Sequence, residues 1–268
     1  MTWKHYLVLG GLVILFGAIS LLANQYNTEW LDSFASNLSS GFLGSLLTAW
    51  LIDRSLAQGR ERETSRVRNI ALCQLRPVLL RHLTLLVNWY KAAAPHKPVH
   101  LPTTISEIFS EDYYHQVRYL DFSKKAPTLY VTDWFAYTTR ELESFCTEIS
   151  RIVDKYATFL SPTALELLEN VTHSDLVGML IQMGKANLPM LDKQHNWNRT
   201  YNILNVYDVT NNRSMPMVQG HVEKFESLLR YYNSKAPNLI TASDLALWRE
   251  NIAPSFGSGR LSEAEVND

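Results

Sequence analysis

Cysteine is scarce: Cys73 and Cys146 are the only two in 268 residues, and both fall on apolar helical patterns. A disulfide scaffold and a multi-cysteine metal site are thereby excluded, and free thiols are expected. Charge of one sign is scarce too. With 25 Lys and Arg against 26 Asp and Glu, the net charge is -1, so no bulk basic field marks a nucleic-acid binder. The chain has no glycine-rich phosphate loop, His-Glu-x-x-His zinc helix, Gly-x-Ser-x-Gly elbow or Cys-x-x-Cys pair. Common nucleotide, metalloprotease, hydrolase and redox classes lose their usual marks, and neither a cofactor nor a catalytic residue is called for. Long β-branched alternation is missing as well, which argues against a sheet.

What the chain does have is a pair of uncharged runs near its start, Tyr6 to Ala23 and Phe34 to Ile52. At about 1.5 Å rise per residue, each spans roughly 27–29 Å as a helix, enough for the hydrocarbon core of a bilayer. Residues 1–56 therefore read as a transmembrane hairpin. Lys4 and His5 precede the first run, Glu29 and Asp32 lie between the runs, and Arg54, Arg60, Arg62, Arg66 and Arg68 follow the second. Because Lys and Arg collect on the cytoplasmic side, both termini are expected in the cytoplasm, with the loop from Asn24 to Ser33 outside. Trp3 and Tyr6, Tyr26 and Trp30, and Trp50 fall at the expected interfaces. A secretory signal peptide is the rival for the first run. Its apolar core is shorter, about 7–15 residues, and Ala18-Ile19-Ser20 is a poor cleavage site.

The second run is odd for a lipid-facing helix. Ser36, Ser40, Gly44 and Thr48 recur every fourth residue, with Asn37, Gly41, Ser45 and Ala49 one position over. Two such rows form one face. Small side chains let backbones approach closely, and Ser, Thr and Asn hydrogen-bond across a helix contact, so Ser36, Asn37, Ser40, Gly41, Gly44, Ser45 and Thr48 are expected to pack against protein. Gly10, Gly11, Gly17 and Ala18 make the first helix the simplest occupant; a second copy, giving a homo-oligomer, or a wet pathway are the others. Asn37 needs a partner in any of these.

Residues 57–253 are within the size of one domain. The linker Ala57-Gln58-Gly59 leads into apolar positions from Val67 to Val87 spaced three and four apart, with Pro77 expected to kink or start a helix. A Pro-rich loop spans Pro95 to Pro102. Thr104 with Glu107 forms a capping box, Thr132 caps a helix carrying the stripe Leu142, Phe145, Ile149, Ile152, Tyr156 and Phe159, and Ser161 before Pro162, Ser174, and Thr241 with Asp244 start others. Val218, Val222, Phe225, Leu229 and Tyr232 complete the set. The fold class is all-α: a two-helix transmembrane hairpin followed by a cytoplasmic helical bundle. Residues 196–212, rich in Asn with Trp197, Tyr201 and Tyr207, suit a binding loop or simple chain turns, and 254–268 read as a disordered tail.

Three weaker constellations remain. Arg76 and His82 match the loose Arg-His spacing of an all-helical ribonuclease family, in which Arg holds phosphate and His transfers protons, but the match is cheap, and a surface Arg with a capping or packing His explains the same residues. Glu111, Asp112 and His115 share a helical turn but lack a fourth ligand. His96 and His100 sit in the Pro-rich loop with no helix to align them.

The order of parts is itself informative: a hairpin ending in Leu51-Ile52-Asp53-Arg54, an Arg/Glu-rich juxtamembrane helix, and a helical domain holding Trp134 and Lys155-Tyr156. In this it resembles the two-transmembrane bacterial proteins of anti-phage defence loci, including the membrane effectors paired with retrons. That resemblance implies a non-enzymatic protein of the inner membrane that perturbs the bilayer when a cytoplasmic protein or ribonucleoprotein partner senses infection. Direct nucleic-acid binding is not expected. A passive anchor whose helical domain docks a soluble partner is the alternative, and the Arg76/His82 ribonuclease a third.

Overall fold

The computed structural model describes residues 3–26, 28–128, 132–186, 194–195, 214–241 and 252–261. The chain divides into two units, Met1–Arg66 and Val67–Asp268. Among the described residues the protein is all-helical, with only isolated β-bridges such as Leu120 with Arg260. Residues 196–212, and Asp244 of the expected late helix, lie outside the described residues.

In the first unit α1 (Trp3–Gln25) turns into α2 (Glu29–Ala93). The turn is tighter than the expected loop. The Thr28 amide and hydroxyl both donate to the Ala23 carbonyl, at 3.0 and 3.1 Å, while the Thr28 carbonyl accepts from Leu31 and Asp32. Glu29 and Asp32 sit in the first turn of α2, where carboxylates favour the exposed amides. Among the described residues two helices are long and apolar enough to cross a membrane, α1 over Tyr6–Gln25 and α2. Leu7, Ile14, Leu21, Leu43 and Leu47 are exposed, as a lipid-facing surface requires.

α2 is continuous across 65 residues, so Ala57-Gln58-Gly59 is helix and the linker reading is wrong. One helical glycine costs only about 1 kcal/mol, and Leu56, Ala57, Gln58, Arg60, Glu61, Arg62 and Glu63 around it are good helix formers. Pro77 lies inside α2 and neither starts nor ends it.

The second unit is built around the end of α2. From Leu85 to Ala94 every residue is buried, which marks a central helix covered on all sides. Around it stand α3 (Ile105–Ile108), α4 (Glu111–Val117), α5 (Trp134–Tyr156), α6 (Pro162–Thr172), α7 (Asp175–Lys185) and α8 (Ser214–Lys235). The α5 stripe from Leu142 to Tyr156 and the α8 stripe from Val218 to Tyr232 are buried as their spacing predicts, whereas Phe159 lies beyond the end of α5. Thr104 accepts from the Glu107 amide at 3.2 Å, and the Glu107 carboxylate reaches back to the Thr103 amide. Ser161 caps α6, accepting from the Ala164 amide at 3.1 Å. The cap of α5 is Asp133, not Thr132: its carboxylate accepts from the Ala136 amide at 2.7 Å, while the Thr132 carbonyl bonds Ala126.

α5 and α7 meet at Gly184, where a Cβ would overlap the buried Thr139 side chain. Gly184→Ala is expected to cost about 1–3 kcal/mol by overpacking. Urea denaturation checks this, and Thr139→Ala should recover part of the loss.

The expected disordered tail is corrected over residues 254–261. These residues, with 252 and 253, form a strap across the end of α2: the Gly257 and Gly259 amides donate to Lys91 and Ala92, Arg260 Nη1 donates to the Ala93 carbonyl at 2.8 Å, and Leu261 is buried. Its glycines permit close approach, which is why the composition resembled a flexible tail. Residues 262–268 lie outside the described residues.

Candidate functional site

Two features of the helices invite function: one face of the hairpin, and a cleft in the second unit. The hairpin seam on α2 runs through Ala35, Ser39, Phe42, Leu46, Ala49 and Asp53, spaced 4, 3, 4, 3 and 4. Ala35 and Ala23 are buried, Phe42 stacks on Phe16 with centroids 5.6 Å apart, and Ser39 donates to the Val13 carbonyl at 3.2 Å beside Gly17. The Tyr6 hydroxyl closes the far end on Asp53 at 2.6 Å. A seam between paired helices repeats every 3.5 residues, whereas a row at every fourth residue drifts around the helix. Ser36, Asn37, Ser40, Gly41, Gly44, Ser45 and Thr48 accordingly point away from α1 and are exposed. Packing of this face within the hairpin is thus overturned. A Cβ at Gly41 or Gly44 would meet nothing within 4 Å, and Ser40 bonds only the Asn37 carbonyl of its own helix.

The cleft lies between α2 and α5 and measures about 520 Å³. Pro77 and Val78 from α2 and Phe145 and Ile152 from α5 give it apolar walls. As Pro77 has no N–H, the Cys73 carbonyl loses its helical partner there. Arg81 forks onto Glu141, Nε to Oε2 at 2.5 Å and Nη2 to Oε1 at 3.0 Å, with Nη1 on Ser144 Oγ at 3.1 Å. Arg151 pairs with Glu148 at 2.6 Å. Lys155 lies over the Tyr156 ring, 5.0 Å from its centroid.

His82 also lines the cleft, 2 % exposed. Its ring stacks on Phe145 with centroids 4.1 Å apart, and its Nε2 lies 2.8 Å from Nε2 of His221. His221 Nδ1 in turn lies 2.7 Å from Ser174 Oγ, so Ser174 stands at the N-terminus of α7 without capping it. The chain ends at His82 Nδ1, which is buried and has no hydrogen-bond partner. Sequence reasoning found His82 for a different reason and missed His221. The available signal was two histidines on apolar stripes, Leu75, Leu79, His82, Leu86 and Val218, His221, Phe225.

The ribonuclease pair does not converge. His82 turns to His221, whereas Arg76 donates to the Leu239 carbonyl at 3.3 Å and is absent from the cleft. Asp112 is engaged by the Tyr90 hydroxyl at 2.6 Å and by Gln116, and no cluster of metal ligands occurs among the described residues. Cys73 and Cys146 are free thiols, and burial lifts that of Cys146 to about 11. His96 and His100 are exposed. No protein-family model, curated protein or solved structure matches the chain.

Both histidines of this buried pair are held neutral. Burial, and then His221, pushes His82 well below the ordinary imidazole value; burial, and then Lys224, pushes His221 down to about 3. Unfolded, both titrate near 6.5. Below about pH 6.5 the unfolded chain binds protons that the folded one refuses, so stability is level above that pH and falls beneath it. The limiting slope is about 1.4 kcal/mol per pH unit for each histidine. Urea denaturation at about pH 7.5 and about pH 5.5 should show the loss, and a His82→Leu/His221→Leu double variant should flatten it.

Proposed function

We propose that this protein is a non-enzymatic, toxin-like effector of a bacterial inner membrane that acts in anti-phage defence. Both termini lie in the cytoplasm, where a protein or ribonucleoprotein partner restrains or triggers the helical domain, and released hairpins assemble and perturb the bilayer. The observation that carries this reading is the outward small-residue face of α2. The hairpin satisfies its own packing through the Ala35 to Asp53 seam, leaving Ser36, Ser40, Gly44 and Thr48 for another helix. Lipid tails gain nothing from such a face, while a second copy gains close approach and hydrogen bonds. The arginines after Ile52 support the orientation.

The test is expression of the chain alone in bacteria carrying a potential-sensitive dye. An effector without its restraining partner is expected to collapse the membrane potential within minutes of induction. A passive anchor would leave the potential unchanged, and that outcome would remove the effector reading.

A further inference from the structure

The open end of the hairpin holds a pocket that the small-residue face does not include. Tyr6 begins the first uncharged run, Ile52 ends the second, and the bond from the Tyr6 hydroxyl to Asp53 Oδ2 at 2.6 Å holds these two points at one level. In a bilayer that level is the headgroup layer, where Trp and Tyr also collect. Tyr6, Trp50, Asp53 and Arg54 line the pocket, which measures about 400 Å³. Trp50 and Arg54 are exposed and Tyr6 and Asp53 half-buried, so a ligand reaches all four.

The lining pairs one cation with one anion. Arg54 folds back one turn over Trp50, its guanidinium carbon 5.2 Å from the ring centroid, which draws the charge toward the uncharged run and not away from it. A ring offsets part of a cation's charge but supplies no oxygen, and no carboxylate pairs with Arg54 among the described residues. Its planar fork of N–H donors suits two phosphate oxygens at once. Asp53, the next residue along, opposes a ligand that is only anionic. Tyr6 fixes its carboxylate, and a carboxylate accepts more than one donor, so a ligand ammonium can join Tyr6 there. Because the two partners are consecutive residues, phosphate and ammonium must be joined by a short linker. A quaternary ammonium, which donates no hydrogen bond, would want an aromatic face, and Arg54 already lies over that of Trp50.

We infer that this pocket binds the headgroup of an ethanolamine phospholipid, whose phosphate accepts from Arg54 and whose ammonium donates to Asp53. Trp50 and Tyr6 flank the headgroup at the membrane boundary. The inference rests on the reading of the hairpin as membrane-spanning, and nothing in it depends on how hairpins assemble.

The experiment releases the full chain from detergent micelles containing equal amounts of ethanolamine, glycerol and choline phospholipids with the same acyl chains, and native mass spectrometry counts the lipids it keeps. One ethanolamine lipid per chain is expected, favoured at least about fivefold over either of the others. Arg54→Gln should lower its occupancy by about tenfold, whereas Arg66→Gln, an exposed arginine outside the pocket, should leave it as in the parent. Asp53→Asn, which keeps an acceptor for Tyr6, should still retain a lipid but no longer prefer the ethanolamine form to the glycerol form. O-Phosphoethanolamine added at the lipid concentration should displace nothing; displacement would make the free headgroup the ligand and overturn the lipid assignment. In a chain that resists alkaline extraction from membranes, equal retention of the three lipids, parental occupancy in Arg54→Gln or parental preference in Asp53→Asn would each overturn the site. A chain that alkali extracts overturns the membrane-spanning reading, and the site with it.

Discussion

Deleting residues 252–268 is expected to cost the second unit about 3–6 kcal/mol, a large share of the roughly 5–15 kcal/mol that holds a domain together. The last four carbonyls of any helix lack partners within it. In α2 that of Tyr90 is taken by the Ala94 amide, and those of Lys91, Ala92 and Ala93 by Gly257, Gly259 and Arg260 of the strap. Lys91 is fully buried, with its ammonium on the Ile252 carbonyl and 5.3 Å from the centroid of the Phe256 ring. The Asp121 and Leu261 amides tie the other edge of the strap, bonding Gly259 and Tyr119. Point changes should report the same contact on a smaller scale. A Cβ at Gly259 would stand 2.9 Å from Leu120 Cδ1 and 3.0 Å from Trp134 Nε1, so Gly259→Ala should cost about 1–3 kcal/mol. Gly257, at φ +70°, should lose about 1–2 kcal/mol on conversion to Ala. Far-UV circular dichroism of the full chain in detergent during urea titration measures all three. An unchanged midpoint after the deletion would mean that the strap merely rests on a finished core.

What was legible in the sequence was whatever the helical period writes into neighbouring residues. The stripes of α5 and α8 and the Ser161-Pro162 start needed only residues three or four apart, and they appear where the spacing put them. What was illegible depended on partners far along the chain. The strap meets α2 some 160 residues away through backbone groups that composition does not encode, so its Gly and Ser read as disorder. His82 and His221 are 139 residues apart, and either alone is just a histidine on an apolar stripe. Gly59 and Pro77 misled for a different reason. They are punctuation in a short helix, but a helix anchored by long packed or apolar stretches on both sides absorbs about 1 and about 3 kcal/mol.

The hairpin shows the subtler error. The small residues of α2 share one face by their fourfold spacing, but a seam between paired helices follows a 3.5-residue repeat, so that face turns away from α1. The true seam is less conspicuous, since it mixes Ala35, Ser39, Phe42 and Leu46 and is defined by its 3.5-residue repeat and not by composition. The correction bears on function, because it frees the small face from the hairpin and makes its substitution a clean test of assembly.

Gly44→Leu is accordingly expected to abolish both self-association and membrane depolarisation while leaving the hairpin intact. A Cβ at Gly44 would have open space around it within the chain, so the larger side chain disturbs no contact with α1. Greater hydrophobicity cannot impair insertion either. Between two copies the same leucine would separate backbones that a small face brings together, removing the dispersion contacts that drive association in lipid. Leu43→Ala, on a neighbouring exposed position, should be tolerated. Gly17→Leu, by contrast, should loosen the hairpin itself, because its Cβ would lie 3.7 Å from Ser39 Oγ on the true seam. Asn37→Leu should have an intermediate effect, since a hydrogen bond between membrane helices contributes only about 0.6–2 kcal/mol. Crosslinking in native membranes and dye-reported potential give the two readouts, with protein level as the control for insertion. If Gly44→Leu retains the parental crosslinking ladder and still depolarises the cell, the outward face contacts lipid alone, and any action on the membrane must come from another surface.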